Sequence, residues 1–128
     1  MKKVLIIDDD TLARATMASI LEGAGYHVMT AEDGKRGLLR MRKEEPDVII
    51  TDLVMPEKEG IETIREILAD RPQAKIIAVS GGGRRSGVEF LRLARALGAC
   101  EVLAKPFDPD DLVGCVSRCI AAFELKRG

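Results

Sequence analysis

The sequence predicts an α/β fold, a parallel sheet with helices on both faces, in one domain spanning residues 1–128. Three observations predict it. Short apolar runs and stretches of helical periodicity alternate five times along the chain. The first of these runs, Val4 to Ile7, is continuously apolar, as in a strand buried on both faces. Gly, Pro and Asp mark the boundaries between the two patterns. Crossovers between parallel strands of one sheet are right-handed.

The elements follow in order. Val4 to Ile7 is a strand, and Asp10 or Thr11 can cap the helix behind it. Met17, Ile20, Leu21 and Ala24 recur at helical spacing, and Gly25 takes the position just past the end. A short strand runs from His27 to Thr30. The next helix runs from about Gly34 to Glu45 and stops before Pro46. Val48 to Ile50 is the third strand, leading to Thr51 and Asp52. Ile61, Ile64, Ile67 and Leu68 stripe the third helix, with Pro72 beyond it. Ile76 to Val79 is the fourth strand. A glycine-rich loop over 81–87 precedes a helix carrying Phe90, Leu91, Ala94 and Leu97. Val102 to Ala104 is the fifth strand. Asp108 and Pro109 open the last helix, with Leu112, Val116, Cys119, Ile120 and Phe123 inward.

At 128 residues the chain is long enough to bury a core without a disulfide or metal staple. Its 46% hydrophobic and 32% charged residues are those of a folded domain rather than a disordered one. With 20 basic and 21 acidic residues, it lacks the charge for general binding to nucleic acid or an acidic membrane surface. No apolar run reaches the roughly 18 residues of a membrane span. The run behind Met1, Lys2 and Lys3 is too short for an export signal, so a cytoplasmic location is expected. The chain stops almost where the last helix does, so it is expected either to stand alone or to be one part of a longer protein cut at Gly128. Cys100, Cys115 and Cys119 are an odd set and predict free, packed thiols. Cys115 and Cys119, at i,i+4, are a minor alternative as a metal pair. His27, in a strand, reads as structural.

Ligands of an open α/β sheet bind beyond the carboxyl ends of its strands. Strand one ends in Asp8, Asp9 and Asp10, strand three in Asp52, strand four in Ser80, and strand five in Lys105 and Pro106. These residues describe a pocket with several carboxylates, a hydroxyl and an ammonium group. Two unit charges at 4 Å repel by about 4 kcal/mol at an effective dielectric of 20. Such a cluster must protonate or attract a cation. Oxygen-only ligands open to solvent favour Mg2+ over zinc. A carboxylate beside such an ion can attack phosphorus, with Lys105 and the Ser80 hydroxyl on the transferring oxygens. Any one of these features alone is commonly a helix cap or a turn. Four of them at four strand ends point to a site.

The ordered set resembles the receiver domain of two-component response regulators across essentially the whole chain. Val4 to Asp10 is similar to that family's first strand and acidic pair. Thr51, Asp52, Leu53, Val54, Met55 and Pro56, with Gly60 beyond, resemble its phosphoacceptor motif. Ala78, Val79 and Ser80 resemble the end of its fourth strand, and Ala104, Lys105, Pro106 and Phe107 its lysine motif. The resemblance implies a three-layer α/β/α sandwich of flavodoxin-like type with strand order 2-1-3-4-5. It implies that Asp52 accepts the phosphoryl group. Mg2+ would be bound by Asp9, Asp52 and the Val54 carbonyl, with Asp8 acting mainly through water. Ser80 and Lys105 would contact the phosphoryl group, and Asp10 would help cap the first helix. The implied donor is a histidine kinase or a histidine phosphotransfer protein, and the implied target is a downstream protein or an output domain. Such a domain is a regulatory phosphoacceptor rather than an enzyme. The Lys105–Pro106 bond is expected to be cis, which costs an X-Pro bond little.

The sequence also departs from the family. Val102 stands where an aromatic switch residue is common, and Gly81 where a small alanine is usual. Switching is therefore expected to use ordering of the 81–87 loop and a shift of the fourth helix. Val54 and Gly82 offer no polar group to orient an attacking water, so a long-lived phosphoaspartate is expected. Arg84, Arg85, Arg92 and Arg95 cluster near the fourth helix, as a solvated face or as a surface for an acidic partner. A haloacid dehalogenase-type phosphatase would also begin with acidic residues after strand one, with Asp8 as nucleophile, but Thr11 and Leu12 are out of phase with that motif. A nucleotide-binding module would need a glycine-rich loop after strand one, and none is there.

Overall fold

The computed structural model describes residues 1–53, 57–81 and 92–127. Five strands alternate with helices: β1 (Lys3–Ile7), α1 (Thr11–Gly23), β2 (His27–Ala31), α2 (Gly34–Glu44), β3 (Val48–Asp52), α3 (Glu57–Asp70) and β4 (Ile76–Gly81). A helical stretch over 92–97 follows, here α4, then β5 (Glu101–Lys105) and α5 (Pro109–Arg127). The strands form one sheet of order β2-β1-β3-β4-β5, and every neighbouring pair is parallel.

Alternation along the strands sorts the core into two layers. Leu5, Ile7, Ile49 and Ala78 meet Met41 of α2, Ile61, Ile64 and Ile67 of α3, and Ala94 of α4. Val4, Ile6, Ile50, Ile77 and Val79 meet Met17 and Leu21 of α1, and Leu112, Cys115, Val116 and Cys119 of α5. All five residues of β3 are buried, which is why the run reads as continuously apolar until Thr51 and Asp52.

The caps explain where the helices start. Asp10 is the N-cap of α1, its carboxylate accepting from the backbone N–H of Leu12 and Ala13. Asp33 caps α2 in the same way through Arg36. Asp108 and Asp111 tie the start of α5, where the Asp108 N–H donates to the Asp111 carboxylate at 3.0 Å.

Some element ends differ from expectation. Ala24 is not part of the apolar stripe; it is the exposed C-cap of α1, and Gly25 follows with φ +97°. Glu45 leaves α2 for a left-handed conformation (φ 48°), because a residue before proline is disfavoured in the α region. Cys115 joins the inward face of α5, as i−4 from Cys119 requires. β2 and β4 extend to Ala31 and Gly81, because strand pairing continues past the apolar run. Phe90 and Leu91 lie outside the described residues.

Candidate functional site

The C-terminal ends of β1, β3 and β5 bring three side chains of the sequence reading together. Lys105 Nζ donates to Asp52 Oδ2 at 2.9 Å and lies 3.8 Å from Asp8 Oδ2. Register explains the convergence. Ile6 pairs with Ile50, so Asp8 and Asp52, each two residues on, emerge on the same sheet face. Asp52 pairs with Val79, Val79 with Leu103, and Lys105 lies two residues past Leu103 on that face again. The Lys105–Pro106 peptide bond is cis.

Asp8 and Asp52 are both buried, at 0% and 2% exposure, and their depth decides their chemistry. Burial pushes the Asp8 carboxyl up to about 7. The Asp10 N–H, donating to Asp8 Oδ1 at 2.9 Å, pulls the other way. The charge of Asp52 raises it further, and Lys105 lowers it. Asp8 Oδ2 is buried and accepts no hydrogen bond. A buried carboxylate oxygen without a donor, beside a second carboxylate, has room electrostatically for a proton or a cation.

Asp9 is exposed in the turn between β1 and α1, next to this pair. Among the described residues no three His, Cys, Asp or Glu side chains converge closely enough to enclose an ion. The two buried carboxylates, with Asp9 at the rim, nonetheless suit a hard cation that keeps most of its own water. Oxygen donors alone favour Mg2+ over a softer metal. Val54, the fourth ligand of the sequence reading, lies outside the described residues.

Ser80 is buried at the end of β4. It pairs with Ala104, one step out of phase with Asp52 and Lys105, so its Cβ leaves the opposite face of the sheet. Val102 is half-buried against the core layer of α2 and α3. Gly82, Arg84, Arg85 and most of the 81–87 loop lie outside the described residues, whereas Arg92 and Arg95 are exposed on α4. His27 is exposed at the start of β2, its backbone N–H donating to the Lys2 carbonyl at 2.9 Å.

The cysteines pack as apolar residues: Cys115 and Cys119 are buried in the α1–α5 core layer, and burial pushes both thiols up. That disfavours the thiolate a metal needs.

One residue near the site escaped the sequence reading. Arg14, one turn into α1, donates from Nη1 to the Asp8 carbonyl at 2.7 Å. A basic residue six positions past a strand-end Asp is the only signal in the sequence, and it is weak.

This sheet, with acidic and basic groups gathered at its carboxyl edge, defines a class of α/β signalling domain. The chain belongs to the response regulator receiver domain family, which it matches over residues 4–117. It is 35% identical to the chemotaxis protein CheY of Thermotoga maritima, over 91% of this chain and 96% of that one. It is 34% identical to the response regulator receiver protein CpdR of Brucella abortus, over 95% of this chain and 99% of that protein. In three dimensions it superimposes on the crystal structure of a response regulator receiver domain protein from Clostridium thermocellum with a TM-score of 0.89. That comparison covers 98% of both chains at 31% identity. The chain is thus a receiver domain of the two-component type. No helix among the described residues is long and apolar enough to cross a membrane.

Proposed function

We propose that the protein is a phosphorylation-dependent switch that accepts a phosphoryl group on Asp52 with the help of Mg2+. The donor in this reading is a phosphohistidine of a histidine kinase or a histidine phosphotransfer protein. The observation that carries it is the buried Asp52 carboxylate held 2.9 Å from the Lys105 ammonium, with Asp8 beside it.

The chemistry follows from the charges. A carboxylate oxygen of Asp52 forms a bond to phosphorus as the bond to the donor nitrogen breaks, and the donor imidazole leaves neutral after taking a proton. Catalysis of such a transfer is positioning and charge neutralisation rather than covalent help. Lys105 supplies one positive charge for the transferring oxygens. Ser80 supplies a hydroxyl from over the edge of the sheet. Asp8, Asp9, Asp52 and the Val54 carbonyl would hold the Mg2+, which when bound screens the carboxylates and the phosphoryl oxygens. Domains of this kind act on themselves, promoting only their own phosphorylation and dephosphorylation. Phosphorylation then alters the surface around α4 and β5, read by a downstream protein or an output domain.

Phosphorylation with a small phosphodonor and Mg2+, followed by peptide mapping, tests the reading. The added mass is expected on the peptide containing Asp52 and is expected to vanish in Asp52→Asn. Lys105→Ala is expected to keep the modification and lose the coupled change around α4 and β5. Modification that persists undiminished in Asp52→Asn would refute the assignment.

A further inference from the structure

The peptide between Asp8 and Asp9 carries the acidic turn, and the structure shows what holds it. On the strand side, the Asp8 N–H donates to the Ala31 carbonyl at 3.1 Å. On the helix side, the Asp10 N–H donates to Asp8 Oδ1 at 2.9 Å, and Asp10 caps α1. The Asp8 carbonyl itself lies past the end of β1 and accepts from Arg14 Nη1 at 2.7 Å. Because a peptide unit is planar, fixing that carbonyl fixes the Asp9 N–H and the direction in which the Asp9 Cα leaves the plane. Arg14 is half-buried and sits in the first turns of α1, behind the Asp10 cap.

We propose that Arg14 is a positioning residue, whose guanidinium clamps the Asp8–Asp9 peptide so that the acidic turn presents its carboxylates to a divalent cation. This rests on the reading of Asp8, Asp9 and Asp52 as the cation site. The clamp and the charge of Arg14 act in opposite directions, which makes the role separable. Removing a positive charge beside an acidic site should by Coulomb's law strengthen cation binding. Releasing the peptide should weaken it.

The test uses the full chain, with Arg14→Ala and Arg14→Lys beside the parent. In metal-free protein the Asp10 amide should exchange with solvent about tenfold faster in Arg14→Ala, the loss expected when a hydrogen bond from a charged donor is removed. Mg2+ titration, followed through the amide signals of residues 8–10, should show a Kd about tenfold weaker in Arg14→Ala, with Arg14→Lys recovering part of the loss by donating one bond. A residue that only stabilises α1 would lower the melting temperature and leave the Mg2+ Kd of the folded protein unmoved, which overturns the proposal. Binding as tight as the parent's or tighter in Arg14→Ala also overturns it, since charge alone gives that sign. If the parent itself shows no Mg2+ effect at residues 8–10, the cation reading fails and takes the proposal with it. A parent that binds while Arg14→Ala binds equally well removes Arg14's role alone.

Discussion

Asp8 is where a single residue's surroundings set a pH dependence. In the unfolded chain its carboxyl ionises in the ordinary range; in the fold it keeps its proton up to about 7, chiefly through burial. Between those two values the folded state binds more protons than the unfolded one. Stability from this group is therefore fully present below about 4 and is lost as pH rises through 7. Replacing Asp8 with Asn removes the charge and keeps an acceptor for the Asp10 N–H. In EDTA, Asp8→Asn is expected to lie within about 1 kcal/mol of the parent near pH 4 and to exceed it by on the order of 4 kcal/mol near pH 8. Urea unfolding at the two pH values measures this, and a difference that does not change with pH would contradict it.

Helix α3 packs so closely on the strand that carries Asp52 that a side chain at Gly60 would fit only if its neighbours shifted. A Cβ on Gly60 would lie 3.0 Å from the Leu53 Cα and 3.2 Å from the Asp52 carbonyl oxygen, both backbone atoms that cannot swing aside. Gly60→Ala is expected to lower stability by about 1–3 kcal/mol, as overpacking does. The same clash bears on the Asp52 backbone, so the rate of phosphorylation by a small donor is expected to fall in this variant as well. Gly23, the last residue of α1, has nothing within 4 Å of the equivalent position. There Gly23→Ala is expected to raise stability by about 0.5 kcal/mol through helix propensity alone. Thermal melts of the two variants with opposite shifts would confirm that close approach, and not the residue type, decides the sign.

At the scale of the whole molecule, one sheet serves two core layers. Ile49 of β3 faces α3 while Ile50 faces α1 and α5, so neither layer can come apart without exposing the strand they share. Unfolding is expected to be a single cooperative transition. Tyr26 packs against the α1–α5 layer and is the one tyrosine in a chain without tryptophan, so its fluorescence reports that layer alone. Ile64→Ala, buried on the other side, is expected to cost about 2–5 kcal/mol and to move the Tyr26 transition and the far-UV circular dichroism transition together. Transitions that separate in this variant would show two independent units.

The kind and order of the elements were readable from the chain, because periodicity and capping are local. Val4 to Ile7 reads as a buried strand from its own residues, and Asp10 reads as a cap from its position before α1. The polar residues at the strand ends were readable for the same reason, once a parallel sheet was inferred. What the sequence could not decide was depth and approach. That Asp8 is buried while Asp9 is exposed, that Gly60 touches the backbone beside Asp52, and that Arg14 reaches back to a carbonyl at the site all depend on how distant segments stack. Desolvation, steric fit and charge are set by neighbours in space. A pattern read along the chain shows which residues reach the edge of the sheet, and only packing shows how closely they meet there.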